Sequence, residues 1–233
     1  MPGLEIEMNS NNSDRDRKIK QDTRAWAEFV GTNYTTALRQ AESPLVQGFL
    51  GERVSARQLI NTLNDHPLIG ADEGEFVLGE AGYYADTSWS FSRVRDFIEL
   101  ALLIDFLRMF TPVAPGETHA VSSYSLKHTA EKFLRPHCSY VSNGRLIWAA
   151  AALGLPMVEQ DGGLNLLIGV SEREHDYVRR MVDGNTKPQG HQHRPDGLTH
   201  LQTALEQCAA GELVLGRWER PEPSTEIFRS TTG

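Results

Sequence analysis

Cysteine is nearly missing from this chain: Cys138 and Cys208 are its two, seventy positions apart, and no C-x-x-C pair occurs. Such thiols read as reduced core residues, not as a disulfide framework. Long apolar runs are lacking too. The strongest, Phe97 to Phe110, carries Glu99, Asp105 and Arg108, whereas a membrane-spanning helix needs roughly 20 apolar residues. It therefore reads as a buried helix, and no membrane partner is expected. The opening MPGLEIEMNSNNSDRDRKIK has no apolar signal core. A disordered start over residues 1–20 and a cytoplasmic location are expected from it. The patterns G-x-x-x-x-G-K-[ST], G-x-G-x-x-G, G-x-S-x-G and H-E-x-x-H are all absent. The usual signals for nucleotide, dinucleotide, hydrolase and zincin chemistry are thus missing, and no cofactor is expected.

Positive charge is scarce: 23 Lys and Arg stand against 31 Asp and Glu, for a net charge of -8. That balance argues against nucleic acid, whose phosphates demand cations. The distribution weakens the objection. Asp65 to Asp105 holds nine acids against Arg93 and Arg95, or -7, which leaves about -1 for the rest of the chain. Ser122 to Leu155 holds Lys127, Lys132, Arg135 and Arg145 against Glu131, or +3, with His128 and His137 beside them. The deficit of cations is a property of one segment.

The 233 residues suffice for one large or two small domains of ~100–200 residues. Residues 21–70 read as a cluster of short helices. Trp26, Phe29 and Val30, then Tyr34, Ala37 and Leu38, fall at i, i+3, i+4 on either side of Gly31, with Thr32 as a cap for the second stripe. Ser43-Pro44 marks a start, and Ser55 caps a helix through Leu63. Residues 71–90 have too many glycines for a helix and read as an acidic connector. Residues 91–219 are the expected helical core. It comprises the helix Phe91–Phe110, a helix pair at about Ser123–Leu134 and Ser142–Leu153, and a hairpin around Asp161-Gly162-Gly163. There follow a helix opened by Ser171 and Glu174 at capping-box spacing, a helix ending at Gly211, and the short strand ELVLGRW. The tail 220–233 reads as disordered. The class is mainly α, a helical bundle with one or two small β-hairpins.

Helix, helix, helix and hairpin in that order resemble a winged helix-turn-helix layout, whose third helix enters the major groove. The connection LRPHCSYV is longer than the tight turn and places Pro136 where glycine is comfortable. Runs such as YVSNG, IWAAAALGL and LNLLIGVSERE are also similar to uncharacterised bacterial proteins of plasmids or integrated elements. The layout implies a DNA-binding regulator or accessory protein. Ser142, Asn143, Arg145 and Trp148 would form the reading face, with Asn143 and Arg145 on base edges. Lys127, Lys132, Arg135 and His137 would lie on phosphates. On the opposing reading, Ser142 or Asn143 is only an N-cap and GRLIWAAAAL is a core helix.

Two other classes stay open. One is a protein–protein adaptor, with the helix pair buried and the Trp26/Phe29/Tyr34 helices docking a partner. The other is an enzyme whose site is assembled from scattered residues. His137 and Cys138 are the one tempting nucleophile pair, but neighbours on a chain seldom aim at each other. His191, His193, His200 and Cys208 lack the paired short spacing of a zinc site, so no metal is expected.

Overall fold

The computed structural model describes residues 3–72, 75–92, 94–114, 120–160, 163–184 and 193–212, with side chains left aside for 3–14, 72, 75 and 76. Helix α1 spans Gly3–Val30, so helix begins well ahead of the expected Gln21. Helix α2, Tyr34–Ala41, is capped by Asn33, whose Oδ1 accepts the amide of Thr36 at 2.8 Å; Thr32 does not take that part. A short turn of 3-10 helix, Pro44–Val46, follows Ser43. Helix α3, Ala56–Asp65, starts where Ser55 Oγ accepts the amide of Gln58 at 3.0 Å. Asp22 of α1 accepts a second first-turn amide, that of Ala56, at 2.8 Å. The carboxylate satisfies an otherwise orphaned donor and joins the two helices.

The acidic stretch forms two minimal hairpins, β1 (Ala71–Asp72) with β2 (Glu75–Phe76) and β3 (Leu78–Gly79) with β4 (Gly82–Tyr83). Helix α4, Asp96–Arg108, is apolar nearly all round, and Phe97, Leu100, Leu102, Leu103, Phe106 and Leu107 are all buried. Its buried Asp105 accepts the amides of Phe49 at 2.8 Å and Leu50 at 3.0 Å, so this acid ties the turn before α3 to the helix. A buried carboxylate persists only with such donors.

Strand β5 (Val121–Ser122) leads into helix α5 (Ser123–Phe133), and α6 follows at Asn143–Ala152. Strands β6 (Met157–Glu159) and β7 (Leu166–Ile168) form the expected hairpin. β5 joins its far side, giving an antiparallel sheet of order β5-β7-β6. Helix α7 runs Glu172–Val182 and helix α8 Leu198–Ala210, with Gly211 just past its end. At α7 the capping-box spacing yields only half a box. Ser171 Oγ accepts the amide of Glu174, while the Glu174 carboxylate turns away to Thr111, whose amide and hydroxyl it accepts at 2.6 and 2.8 Å. The strand ELVLGRW beyond Glu212, the tail 220–233 and the hairpin tip Asp161-Gly162 lie outside the described residues.

The chain is mainly α with small sheets, as its pattern implies. One apolar cluster runs from Trp26 and Leu59 through Phe97 and Trp148 to Leu166, Val178 and Leu201. Residues 21–70 and 94–210 therefore share a core. Among the described residues, no helix is long and apolar enough to cross a membrane.

Candidate interaction surface

Helix α6 begins at Ser142, whose Oγ accepts the amide of Arg145 at 3.1 Å, and it stops at Leu153 ahead of Gly154 and Pro156. Its alanines allow close approach on every side. α4 and α5 lie against it from within the central unit, while α3 and the β3-β4 hairpin cover the side that a groove-reading helix would turn outward. The hairpin touches at Gly144, whose amide donates to Glu80 O at 3.1 Å; a Cβ there would lie 2.0 Å from Gly79 O. The acidic stretch is therefore a clamp on α6 and not a free connector.

The expected reading face is inside. Trp148 is 0% exposed, donates from Nε1 to Leu59 O at 2.8 Å, and is ringed by Trp26, Phe29, Trp89 and Phe91 at centroid distances of 5.4 to 6.5 Å. Ser142 is spent as the cap. Asn143 is buried and donates to Leu164 O at 2.8 Å and Asn165 Oδ1 at 3.1 Å.

Arg145, 7% exposed, is the centre of an ion-pair network. Nη2 lies 2.8 Å from Asp96 Oδ1 and donates to Ser90 O at 2.8 Å, Nη1 pairs with Glu99, and Glu80 Oε1 stands 3.3 Å from Nε without hydrogen-bond alignment. Burial works against the charge of Arg145, but Glu80, Asp96 and Glu99 outweigh it and hold the guanidinium above its ordinary pKa. The excess of acid shows at Glu99, whose carboxyl is pushed up by burial and by Asp96 more than Arg145 pulls it down. Sequence counting registered these acids as a block of charge. The signal it passed over is Asp96 and Glu99 three apart on a helix otherwise too apolar to carry free charges.

Of the residues expected on phosphates, Lys127 is also inside. At 8% exposure it donates to Glu131 Oε1 and Val141 O, both at 3.2 Å, with the Tyr124 and Tyr140 rings 5.7 and 5.2 Å from Nζ. Lys132, Arg135 and His137 do come together. They line a groove of about 340 Å³ between the ends of α5, α7 and α8, floored by Phe133, Met181, Val182 and Leu205. Lys132 pairs with Asp183 at the end of α7, and His137 Nε2 meets Leu205 O at 3.1 Å. Arg135 is exposed and makes no ion pair among the described residues. Glu206 of α8 also lines the groove, so the surface is a strip of apolar side chains edged by Lys132 and Arg135 with one acid among them.

The other candidates end elsewhere. Cys138 is buried, donates to Tyr140 O at 3.1 Å, and has its thiol pushed up to about 12 by burial and by the nearby Glu99. A thiol so protonated is a poor nucleophile, and the His137 ring turns to α8 instead of to it. No group of three or more His, Cys, Asp and Glu able to hold a metal occurs among the described residues; His191 lies outside them. Trp26, expected to dock a partner, is buried; Phe29 is half-buried and Tyr34 remains exposed. His175 escaped sequence reasoning. It is buried on α7 with Nε2 2.9 Å from Thr129 Oγ1, and burial, with Arg179 nearby, pushes its pKa down to about 4. Its place three residues before Val178 on the apolar stripe of α7 was the available sign. No protein-family model matches the chain, and neither a curated protein nor a solved structure matches it.

Proposed function

We propose that the protein is a non-catalytic binding protein in which a winged-helix unit serves as a scaffold, and that it takes an acidic, amphipathic segment of a partner protein in the groove between α5, α7 and α8. The order α4-β5-α5-α6-β6-β7 with a sheet ordered β5-β7-β6 supports the winged-helix reading. The observation that carries the function is the groove itself, an apolar floor of Phe133, Met181, Val182 and Leu205 beneath Lys132 and Arg135. Helix-in-groove recognition needs that combination: apolar anchors supply affinity and flanking charge selects the partner. Lys132 is paired with Asp183 and Glu206 also lines the groove, so the charge that an acidic segment would meet is that of Arg135, in a protein that as a whole carries -8.

DNA is the competing ligand. Reading bases with α6 would require α3 and the β3-β4 hairpin to leave it and expose Trp148, Leu59 and Leu78. Each such side chain costs roughly 1.5–3 kcal/mol to return to water, a sum comparable with the ~5–15 kcal/mol that holds a whole domain folded. The magnitudes favour α6 as a permanent core helix.

The two ligands separate by fluorescence anisotropy on the full chain. One probe is an amphipathic peptide of about 15 residues with leucines at helical spacing and glutamates beside them; the other is a duplex of about 20 base pairs, long enough for several phosphate contacts. The peptide is expected to bind and its leucine-scrambled form to fail. Arg135→Glu is expected to weaken binding at least roughly tenfold, about 1.4 kcal/mol, without moving the thermal midpoint. Salt-sensitive retention of the duplex with no retention of the peptide would overturn the reading, as would an Arg135→Glu variant that binds the peptide unchanged.

A further inference from the structure

The opposite end of α5 carries a second cleft, of about 490 Å³, whose chemistry differs from that of the groove. It lies where β5 passes into α5 and faces α7. Ser122 and Ser125 line one side, Arg173, Arg179 and Arg180 the other, and His193 approaches from the segment before α8. Three arginines against Glu172 and Asp176 make the lining +1 before His193 is counted, in a chain whose total is -8. Positive charge here is a local arrangement and not the background of the molecule.

Two of the three arginines, Arg179 and Arg180, share an acid on their own helix. Asp176 accepts from Arg179 Nη2 through Oδ1 at 2.5 Å and meets Arg180 Nε through Oδ2 at 2.6 Å. One carboxylate thus fixes two guanidinium groups, each of which has five N–H donors and keeps most of them for another acceptor. Those two arginines keep the Asp176 carboxyl below its ordinary range, against the burial that works the other way. Behind them the wall is rigid and uncharged: His175, 4% exposed, is bonded to Thr129 and stays neutral near pH 7. Val121 and the buried face of Tyr177 add apolar surface. Planar guanidinium forks match phosphate oxygens bidentately, and serine hydroxyls add neutral donors. The volume lies within the range of small-ligand clefts, with room for one phosphate and a modest organic group.

We infer that the cleft between β5, the start of α5 and α7 binds a phosphate monoester, gripped by Arg173, Arg179 and Arg180, with its organic part against Val121 and Tyr177. The monoester comes either from a small molecule or from a phosphorylated side chain of a peptide. The site does not depend on the groove at the other end of α5, and each can fail without the other.

Titration calorimetry of the full chain in a phosphate-free buffer tests it with three probes: inorganic phosphate, glycerol 3-phosphate and a short peptide bearing one phosphoserine. Saturable binding of at least one organic monoester is expected, tighter than that of inorganic phosphate. The double variant Arg173→Ala/Arg180→Ala is expected to weaken it at least roughly tenfold, while Arg57→Ala, on the exposed face of α3, leaves it unchanged. Arg173→Lys, which keeps the charge and loses the fork, should fall between. Equal affinity for the two organic probes supports a small-molecule ligand, and preference for the peptide a modified protein. No saturable binding of any probe overturns the inference, as does binding that survives in the double variant with its thermal midpoint intact.

Discussion

Replacing Arg145 by methionine is expected to lower the unfolding free energy by ~3–5 kcal/mol, because it leaves buried carboxylates without their cation. Asp96 has no exposed side-chain surface, while Glu80 and Glu99 keep about a fifth of theirs, at 21% and 20%. Partial solvation of the two glutamates places the loss toward the lower end of that range. An arginine on the surface reading phosphates or bases would cost little or nothing when replaced, since exposed ion pairs contribute ~0–1 kcal/mol. Urea denaturation of the two proteins distinguishes these outcomes.

The loss should also depend on pH in a defined direction. Glu99 has a folded-state pKa above its ordinary value, so the fold favours its neutral form. That contribution is fully present below the ordinary carboxylate range and is lost as pH rises through the raised value. Without Arg145 the value rises further, and the variant pays most at neutral pH. Its deficit is therefore expected to shrink as pH falls toward the ordinary carboxylate range. Adding Glu99→Gln to the variant should recover part of the loss at pH 7, as coupled neighbours do in a double-mutant cycle. A deficit independent of pH would mean that the carboxylates do not sense Arg145.

The second large effect is expected at Trp148. Trp148→Ala removes a fully buried indole, for which core truncations of this size cost ~3–5 kcal/mol. It also leaves Leu59 O, now bonded to the indole N–H at 2.8 Å, without that donor inside the core. The cavity opens among Trp26, Phe29, Trp89 and Phe91, which belong to α1 and to the segment before α4. The loss should therefore appear as destabilisation of the whole chain, with the N-terminal helices and the central unit melting in one transition. Two separated transitions would indicate that α1–α3 and the central unit do not share a core.

These two residues mark where the sequence could and could not be read. Helix boundaries were legible where a cap or breaker marks them locally, at Ser55, Ser142, Ser171, Gly211 and Pro156; they were not at α1, which begins at Gly3, nor at α4, which has no side-chain cap and begins at Asp96 instead of Phe91. The helix, helix, helix, hairpin order was legible for the same reason, as was the apolar face of α4. What covers α6 was not. A helical wheel gives the apolar arc of Leu146, Ile147, Ala150 and Leu153, but Arg145 and Trp148 fall outside that arc and are buried all the same. Their partners, Glu80, Asp96, Glu99 and Leu59, lie 46 to 89 positions away by the numbering, and no periodicity joins them. Charge counting placed the acids and the arginine in separate segments and missed that they neutralise one another. The basic groove was half legible. Lys132, Arg135 and His137 were singled out together, but the facing residues from α7 and α8 appear only once the chain has folded. The arginines of α7 drew no attention because, on a helix rich in both signs, they read as a solvated face.

Hydrogen exchange along α6 tests the central claim, that this helix belongs to the core and is not a surface reader, more directly than any variant does. The amides of Leu146 to Ala152 are expected among the slowest in the chain, exchanging with an opening free energy close to that of global unfolding by urea. Exchange of that stretch through a local opening several kcal/mol below global unfolding, with α4 still protected, would contradict the account and return α6 to the surface.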